Sequence, residues 1–245
     1  MRRARMALTR IEPGALALAR LRCPFCGPSL ALRMNRSDHG VRCLRCAASS
    51  IHLAMGAVLL EELPDLTDRD AYELSARGPL VAFLRRKVRS LQVSEFLPEV
   101  PFGHEKDSIR SEDVQQLTFA DETFDLITHT EVLEHVPDDR SALAELHRVL
   151  RAGGVLVFSV PLHEGEVTIE RARLRDGRIE HLLPAVLHGD PLRGGAGILA
   201  FRDYGGDIVE RVRAAGFVRV ELRAPRMAPS WLKLRKVIIA HKDAQ

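Results

Sequence analysis

The four cysteines constrain this chain more than any other feature. All lie within 24 residues, as Cys23-Pro-Phe-Cys26 and, after a 16-residue gap, Cys43-Leu-Arg-Cys46. Each Cys-x-x-Cys step turns the backbone so that two sulfurs face one point, and two such steps facing each other close a tetrahedron. The spacing predicts a four-thiolate zinc site on Cys23, Cys26, Cys43 and Cys46. Disulfides and redox thiols use the same residue type. Disulfides belong to oxidising compartments, and no secretion signal is read at the N-terminus; redox Cys-x-x-Cys pairs rarely come in tandem. A site closed by four protein ligands keeps no open position, so its expected role is structural. Bound zinc contributes on the order of 10–16 kcal/mol of apparent folding energy to small modules, support that a short stretch with few large apolar groups needs. Gly27 and Gly40 stand where turns demand unusual backbone angles. Leu30–Met34 with Val41-Arg42 reads as a short hairpin between the two knuckles.

The remaining chain is long enough for a core of its own. Of 245 residues, 46% are apolar and 28% charged, a globular balance that excludes a disordered chain, a collagen and a coiled coil. The longest apolar stretches, Leu53–Leu60 and Val155–Leu162, are far shorter than the roughly 20 residues of a membrane span. The expectation is a cytoplasmic protein with no membrane span. The charge is uneven. Residues 1–52 hold ten arginines against Glu12 and Asp38, a local +8 that leaves −5 for the other 193 residues of a +3 chain. Such asymmetry suggests different partners for the two parts: an anion such as nucleic acid, a nucleotide-linked substrate or an anionic lipid for the arginines, or plain solvent.

Beyond Ile51–Leu63, which reads as a linking helix, and the polar boundary Pro64–Asp70, helix-period and strand-like segments alternate. That alternation predicts βαβ units around a parallel sheet. Helices are expected over Pro79–Leu91, Arg140–Arg151 (stopped by Gly153-Gly154) and Asp207–Ala215 (stopped by Gly216). Phe124–Thr128 and the continuous apolar run Val155–Val160 read as buried strands. Phe217–Leu222 and Lys236–Ala240 read as a closing antiparallel pair.

The stretch from Leu117 to Pro161 contains Leu-Thr-Phe-Ala-Asp-Glu-Thr-Phe-Asp-Leu-Ile, then Glu-Val-Leu-Glu-His-Val-Pro-Asp, then Glu-Leu-His-Arg-Val-Leu-Arg-Ala-Gly-Gly-Val-Leu-Val-Phe-Ser-Val-Pro. It resembles class I S-adenosylmethionine-dependent methyltransferases, in the branch called methyltransferase type 11. The resemblance covers about residues 70–240 and is strongest over 112–161. It implies an α/β fold with a Rossmann-like, mostly parallel sheet whose last strand runs antiparallel, behind a small N-terminal zinc ribbon. The implied layout is a basic arm and zinc ribbon over 1–52, a linker helix and turn over 53–69, and a methyltransferase-like domain over 70–245 with an insert over 162–206.

The resemblance also implies a cofactor, S-adenosylmethionine, and places its ligands. Glu73, Ser75 and Gly78 occupy the turn after the first strand. Here Glu-Leu-Ser-Ala-Arg-Gly replaces the family's acid-x-Gly-x-Gly-x-Gly. Glu95 ends the second strand as the ribose ligand, since one carboxylate offers acceptors to both hydroxyls. Asp113 takes the adenine amine with Val114 beside the ring, and Thr130 and Glu131 line the reaction centre. For an acceptor that needs a base, His135 shares a helical face with Glu131. His181 and His188, the latter followed by Gly-Asp190, are further catalytic candidates in the insert. Arg171, Arg173, Arg175 and Arg178 add positive charge there. His129, Glu131, Glu134 and His135 do not follow the His-Glu-x-x-His order, so no second metal site is expected.

Three functions remain open. The first is methyl transfer to an O, N or C atom of a small-molecule, sugar or glycan-precursor substrate. The second is an rRNA or tRNA methyltransferase using the basic zinc module. The third is a non-catalytic binding protein with a degenerate methyltransferase fold. Aromatic residues are only 5% and Trp231 is the single tryptophan, so base-stacking platforms are scarce and RNA is the less favoured partner.

Overall fold

The computed structural model describes residues 11–36, 40–189, 197–226 and 236–244. Met1–Arg10, Asp38, Asp190 and Trp231 lie outside the described residues.

The N-terminal module is a three-stranded antiparallel sheet of β1 (Ala17–Cys23), β2 (Gly27–Arg33) and β3 (Val41–Cys43), in that order. The first knuckle is itself a hairpin turn: Cys23 pairs with Gly27, whose φ of +78° suits glycine. β2 therefore has two partners where the sequence suggested one. β1 escapes sequence reading because Leu18, an apolar residue, sits on its exposed side with Arg20 and Arg22. At Gly40 the constraint is space, since a Cβ there would lie 2.0 Å from Asn35 Oδ1.

Helix α1 (Ser50–Glu62) follows, its first turn capped by Ser49. Then come β4 (Asp70–Glu73), α2 (Pro79–Leu84), β5 (Ser90–Glu95), β6 (Glu105–Lys106), β7 (Ile109–Ser111), β8 (Phe124–Thr130), α3 (Asp139–Val149) and β9 (Leu150–Ser159). In the insert, β10 (Ile169–Glu170) pairs with β15 (Arg202–Asp203), β11 (Ala172–Arg175) with β12 (Arg178–His181), and β13 (Leu187–His188) with β14 (Ile198–Leu199). Helix α4 (Ile208–Ala214), β16 (Arg219–Arg223) and β17 (Val237–His241) complete the chain.

The main sheet has eight strands in the order β16-β17-β9-β8-β4-β5-β7-β6. β9, β8, β4, β5 and β7 run parallel, while β17 is antiparallel to both β9 and β16. The chain winds from β4 outward to β7, then returns to β8 beside β4, so the order switches direction between β4 and β8. In parallel sheets the crevice at the carboxyl ends of strands flanking such a switch is where ligands bind.

Successive strand residues point to opposite faces, and the core divides accordingly. Ala71, Leu126, Val155, Val157, Val237 and Ile239 pack with α1, α2 and the ribbon. Tyr72, Ile127, Leu156, Phe158, Ile238 and Ala240 pack with α3 and α4. The ribbon shares the first core: the Phe25 and Phe83 ring centroids are 5.2 Å apart, and a Cβ on Gly56 of α1 would fall 2.4 Å from Phe25. Burying a phenylalanine contributes about 1.5–3 kcal/mol, so Phe25 ties the metal module to the sheet as well as filling space.

Two expected helices differ. The helix expected over 79–91 ends at Leu84, and the chain turns through Arg85-Arg86-Lys87 to enter β5 beside β4. The helix expected over 140–151 ends at Val149, before the Gly-Gly pair. Gly153 (φ +73°) instead lies within β9, where the register against β8 slips: Phe124 pairs with Leu150, but Leu126 pairs with Val155.

Candidate active site

The carboxyl ends of β4, β5, β7 and β8 gather the expected site residues on one edge of the sheet. Glu95 is the last residue of β5, and its backbone pairs with Ser111, the last of β7. Asp113 follows two residues later. The two acids thus lie at the carboxyl ends of neighbouring parallel strands, Glu95 on β5 and Asp113 in the loop after β7, both half-buried. Glu95 Oε1 accepts from Ala76 N at 2.8 Å, which ties the turn after β4 to the end of β5. Asp113 Oδ1 accepts from Gln115 N at 2.9 Å, and Gln115 Oε1 accepts in turn from Asp138 N at 3.0 Å, so the loops after β7 and β8 are stitched together. The adjacent acid, Glu112, is buried under Arg110 (2.6 Å) and the Thr118 amide (3.0 Å) and acts as the anchor of this loop. Val114 is buried beside Leu117 and Phe119. The third strand is shorter than expected, ending at Ser111, so Asp113 sits on a loop and not on the strand.

In the turn after β4, Glu73 is 1% exposed. Thr128 Oγ1 of β8 donates to its carboxylate, and Ser75 also bonds it. Burial pushes its pKa up to about 8, against the hydrogen bonds and assisted by the nearby charge of Glu95. Glu73 therefore braces the turn from behind. Gly78 caps α2 with φ +123° and ψ 174°, a conformation essentially reserved for glycine. A Cβ there would make an ordinary contact with His52 Nε2 at 3.8 Å, so it is the backbone conformation and not space that reserves this position for glycine. Ser75 and Arg77, which replace two family glycines, have φ outside the positive region, so the turn needs glycine only at Gly78. Glu95, tied to the turn after β4, and Asp113, just past the neighbouring strand, are the carboxylates that could accept from the ribose hydroxyls and exocyclic amine of an adenosine.

Phe96 is the site residue that sequence reading missed. It follows Glu95 directly, is 47% exposed, and stacks on Phe102 at 5.9 Å. A large aromatic left in solvent next to a ribose-type acid is the signal, but exposure is invisible in a sequence.

At the end of β8, Thr130 pairs with Ser159 and Glu131 takes φ +56°. Glu131 N donates to Ser159 O at 2.9 Å, and Ser159 Oγ donates to Glu131 Oε1 at 3.3 Å. The next turn, Leu133–His135, is a single 3-10 turn. Glu131, with its left-handed φ, lies outside that turn, so the helix expected to carry Glu131 and His135 on one face is not formed. His135 Nδ1 donates to Leu199 O at 2.8 Å. His188 reaches His135 from β13, with ring centroids 4.9 Å apart. His181 is exposed on β12 and forms no hydrogen bond, ion pair or ring contact with these residues among the described ones. His129 is buried against Phe158 and held neutral, its pKa brought down to about 3 by burial. In the insert, Arg171 pairs with Asp203 (2.9 Å) and Arg173 with Glu180 (2.8 Å), which leaves less positive charge for an acidic ligand than the arginine count suggests.

In the ribbon, Cys23 Sγ and Cys46 Sγ are 3.6 Å apart, as are Cys26 Sγ and Cys43 Sγ, and all four sulfurs lie within 4.8 Å of one another. Sulfurs about 2.3 Å from a central ion in a tetrahedron lie about 3.8 Å apart, so the donor set fits zinc. Burial pushes the Cys23 thiol up and brings Cys26 to about 11. At Cys43 burial is outweighed by hydrogen bonds from Ser29 and from the Cys46 and Arg45 backbone, which bring its thiol to about 6.

Residues 70–158 match a family model described as "Methyltransferase domain". That segment, 89 of the 245 residues, is similar to a methyltransferase domain. The match begins at β4 and ends within β9, so it contains every strand whose carboxyl end forms the site. Among curated proteins, the chain is 32% identical over 121 residues to a demethylmenaquinone methyltransferase of Lactiplantibacillus plantarum, covering 44% of this chain and 47% of that one. It is 39% identical over 110 residues to a ubiquinone biosynthesis O-methyltransferase of Pseudomonas syringae pv. tomato, covering 41% and 47%. The chain thus spans under half the length of these relatives. Among solved structures, a chain of the Haloferax volcanii complex between the Trm112 methyltransferase activator and a methyltransferase aligns with a TM-score of 0.50. It is 13% identical and covers 78% of this chain and 89% of that one, a likeness of fold. Among the described residues no helix is long and apolar enough to cross a membrane.

Proposed function

We propose that this chain is an S-adenosylmethionine-dependent methyltransferase acting on a small-molecule acceptor. The observation that carries this reading is that Glu95 and Asp113 lie at the ends of neighbouring parallel strands, with Glu95 bonded to the turn that leads to Gly78, within the segment similar to a methyltransferase domain. Glu95 would accept from the ribose hydroxyls and Asp113 from the adenine amine. Val114 and Phe96 would hold the ring, and Ser75 and Gly78 would face the amino-acid end while Glu73 supports them from within. S-adenosylmethionine bound there supplies an electrophilic methyl for in-line transfer to a nucleophile. The chain's own part is orientation and exclusion of water, and orientation alone is worth roughly 7–11 kcal/mol of barrier. Thr130 and Glu131 border the place where an acceptor would lie. His135 is held by Leu199 in the tautomer that leaves Nε2 as a proton acceptor, a group suited to take the proton of an acceptor hydroxyl or amine.

The four cysteines would hold one structural zinc ion. Phe25, between Cys23 and Cys26, packs on α1 and α2, so the ion would stiffen the helix whose N-cap is Gly78. The names of the two relatives are those of small-molecule methyltransferases, which supports a small-molecule acceptor over RNA. The basic ribbon with Arg20, Arg22 and Arg42 is the feature that keeps RNA as the second reading. Incubating the protein with methyl-labelled cofactor and a cell extract separates the two. Label in the organic-extractable fraction is the expected result, and label confined to RNA would overturn the small-molecule reading.

A further inference from the structure

The turn after β8 and the insert together build a second group of metal-ligating side chains, which neither segment holds alone. Glu134 Oε1 lies 3.7 Å from His135 Nε2 and 3.8 Å from His188 Nδ1, and the three donor atoms lie within 4.8 Å of one another. We propose that Glu134, His135 and His188 bind a divalent first-row transition metal ion, such as Fe2+, Co2+ or Zn2+, as a two-histidine, one-carboxylate site.

Four features support the site. The first is the donor chemistry: two imidazoles and one carboxylate form the triad that favours such ions over Mg2+ or Ca2+, which prefer all-oxygen shells. The second is the outer shell. His135 Nδ1–H donates to Leu199 O at 2.8 Å, which fixes the tautomer and turns the Nε2 lone pair toward Glu134. A ligating histidine almost always has such a partner on its other nitrogen. The third is rigidity. Phe201 N donates to Glu134 O at 2.7 Å, and the guanidinium of Arg202, 3% exposed, donates to the carbonyls of Leu133 (3.0 Å), Val136 (2.6 Å) and Pro137 (2.7 Å). The insert thus clamps the ligand-bearing turn on both sides of Glu134. The fourth is burial: Glu134 is 1% exposed, and a divalent ion bound by its carboxylate and the two imidazoles would offset the cost of burying that carboxylate.

Donors about 2.0–2.1 Å from an ion lie about 3.3 Å apart in a tetrahedron, so the two separations from Glu134 need to close by about half an ångström, and the imidazole nitrogens, within 4.8 Å of each other, by up to about 1.5 Å. The His188 side chain, 37% exposed, lies at the rim of the half-exposed hairpin β13–β14 and can make that movement. Three protein ligands leave further positions for water or substrate oxygen, the mark of a reactive site and not a structural one. Its use on the acceptor would rest on the methyl-transfer reading, because Glu134 follows Glu131 by only three residues. The metal affinity itself does not, so the two readings fail separately. With an ion bound, His135 Nε2 is a ligand and no longer a base.

The test is a Co2+ titration of tag-free protein whose thiolate site is already filled with zinc, read by visible d–d absorption and calorimetry. The expected result is one saturable cobalt ion per chain without a thiolate charge-transfer band. Affinity should fall at least tenfold in His188→Ala and in Glu134→Gln. It should be unchanged in His104→Ala, an exposed histidine outside the cluster. Tm of each variant reports folding, and the wild-type titration stands without them. Absence of saturable binding, binding carried by a thiolate charge-transfer band, or equal affinity in His188→Ala would overturn the proposal.

Discussion

At the residue scale, Glu73 shows how one position serves a site without facing its ligand. Its carboxyl group is protonated at neutral pH because burial holds its pKa up near 8. The folded state therefore binds a proton more tightly than the unfolded state, and stability falls as pH rises from about 4.5 through 8. Glu73→Gln keeps a hydrogen-bond acceptor for Thr128 and removes the titration. Urea unfolding should find the variant more stable than wild type at pH 9 by on the order of 1–3 kcal/mol, with little difference at pH 5; parallel pH curves for the two proteins would contradict this. The acids at 73, 95 and 113 were legible in the sequence through the family resemblance, which places an acid after each of the first three strands. What their burial makes of them was not: residue type alone did not separate Glu73, which braces, from Glu95, which is half-buried at the crevice. The partnership of Glu134 with His188 was illegible for a different reason. It depends on where a long insert folds back, and local spacing carries no information about that.

At the element scale, the turn and the knuckles decide the outcome. Gly78 occupies backbone space that other residues enter at a cost of about 1–3 kcal/mol. Gly78→Ala should lower Tm by several degrees and weaken S-adenosylhomocysteine binding more than tenfold; unchanged binding would show that the turn is not part of the site. Stripping the thiolate site with a chelator should lower Tm and expose the Cys thiols to reagent, both restored by one equivalent of Zn2+. No change in Tm on complete metal removal would contradict a structural role. The strands β8, β9 and the pair β16–β17 were readable from apolar runs and turn residues, and β4 and β5 only through the family resemblance. Two helix ends and strand β1 were not, because their limits depend on sheet register and tertiary cover. The Gly153-Gly154 pair reads locally as a helix stop, but it serves a bulge between β8 and β9.

At the scale of the molecule, one core joins the ribbon, α1 and the sheet, so distant groups contribute to a common stability profile. His129, buried, and His52, half-buried beside Ser49, have pKa values brought down to about 3 and about 4, by desolvation in both cases and by Arg42 at His52. Both must gain a proton when the chain unfolds below about pH 6.5, so stability is lost as pH falls through that range. With Glu73 acting in the opposite sense, the chain should be most stable near neutral pH. Replacing His129 with Phe should flatten the acid limb in a thermal-unfolding series; an unaltered limb would place the acid sensitivity elsewhere.

The central claim is that the ends of β5 and β7 grip an adenosine. Calorimetric titration of the zinc-loaded protein with S-adenosylhomocysteine tests it most directly. The account predicts saturable binding of one ligand per chain, weakened at least tenfold by Glu95→Ala and by Asp113→Ala while Tm stays within a few degrees of wild type. Absence of binding heat from the folded protein, or full affinity in both variants, would contradict it.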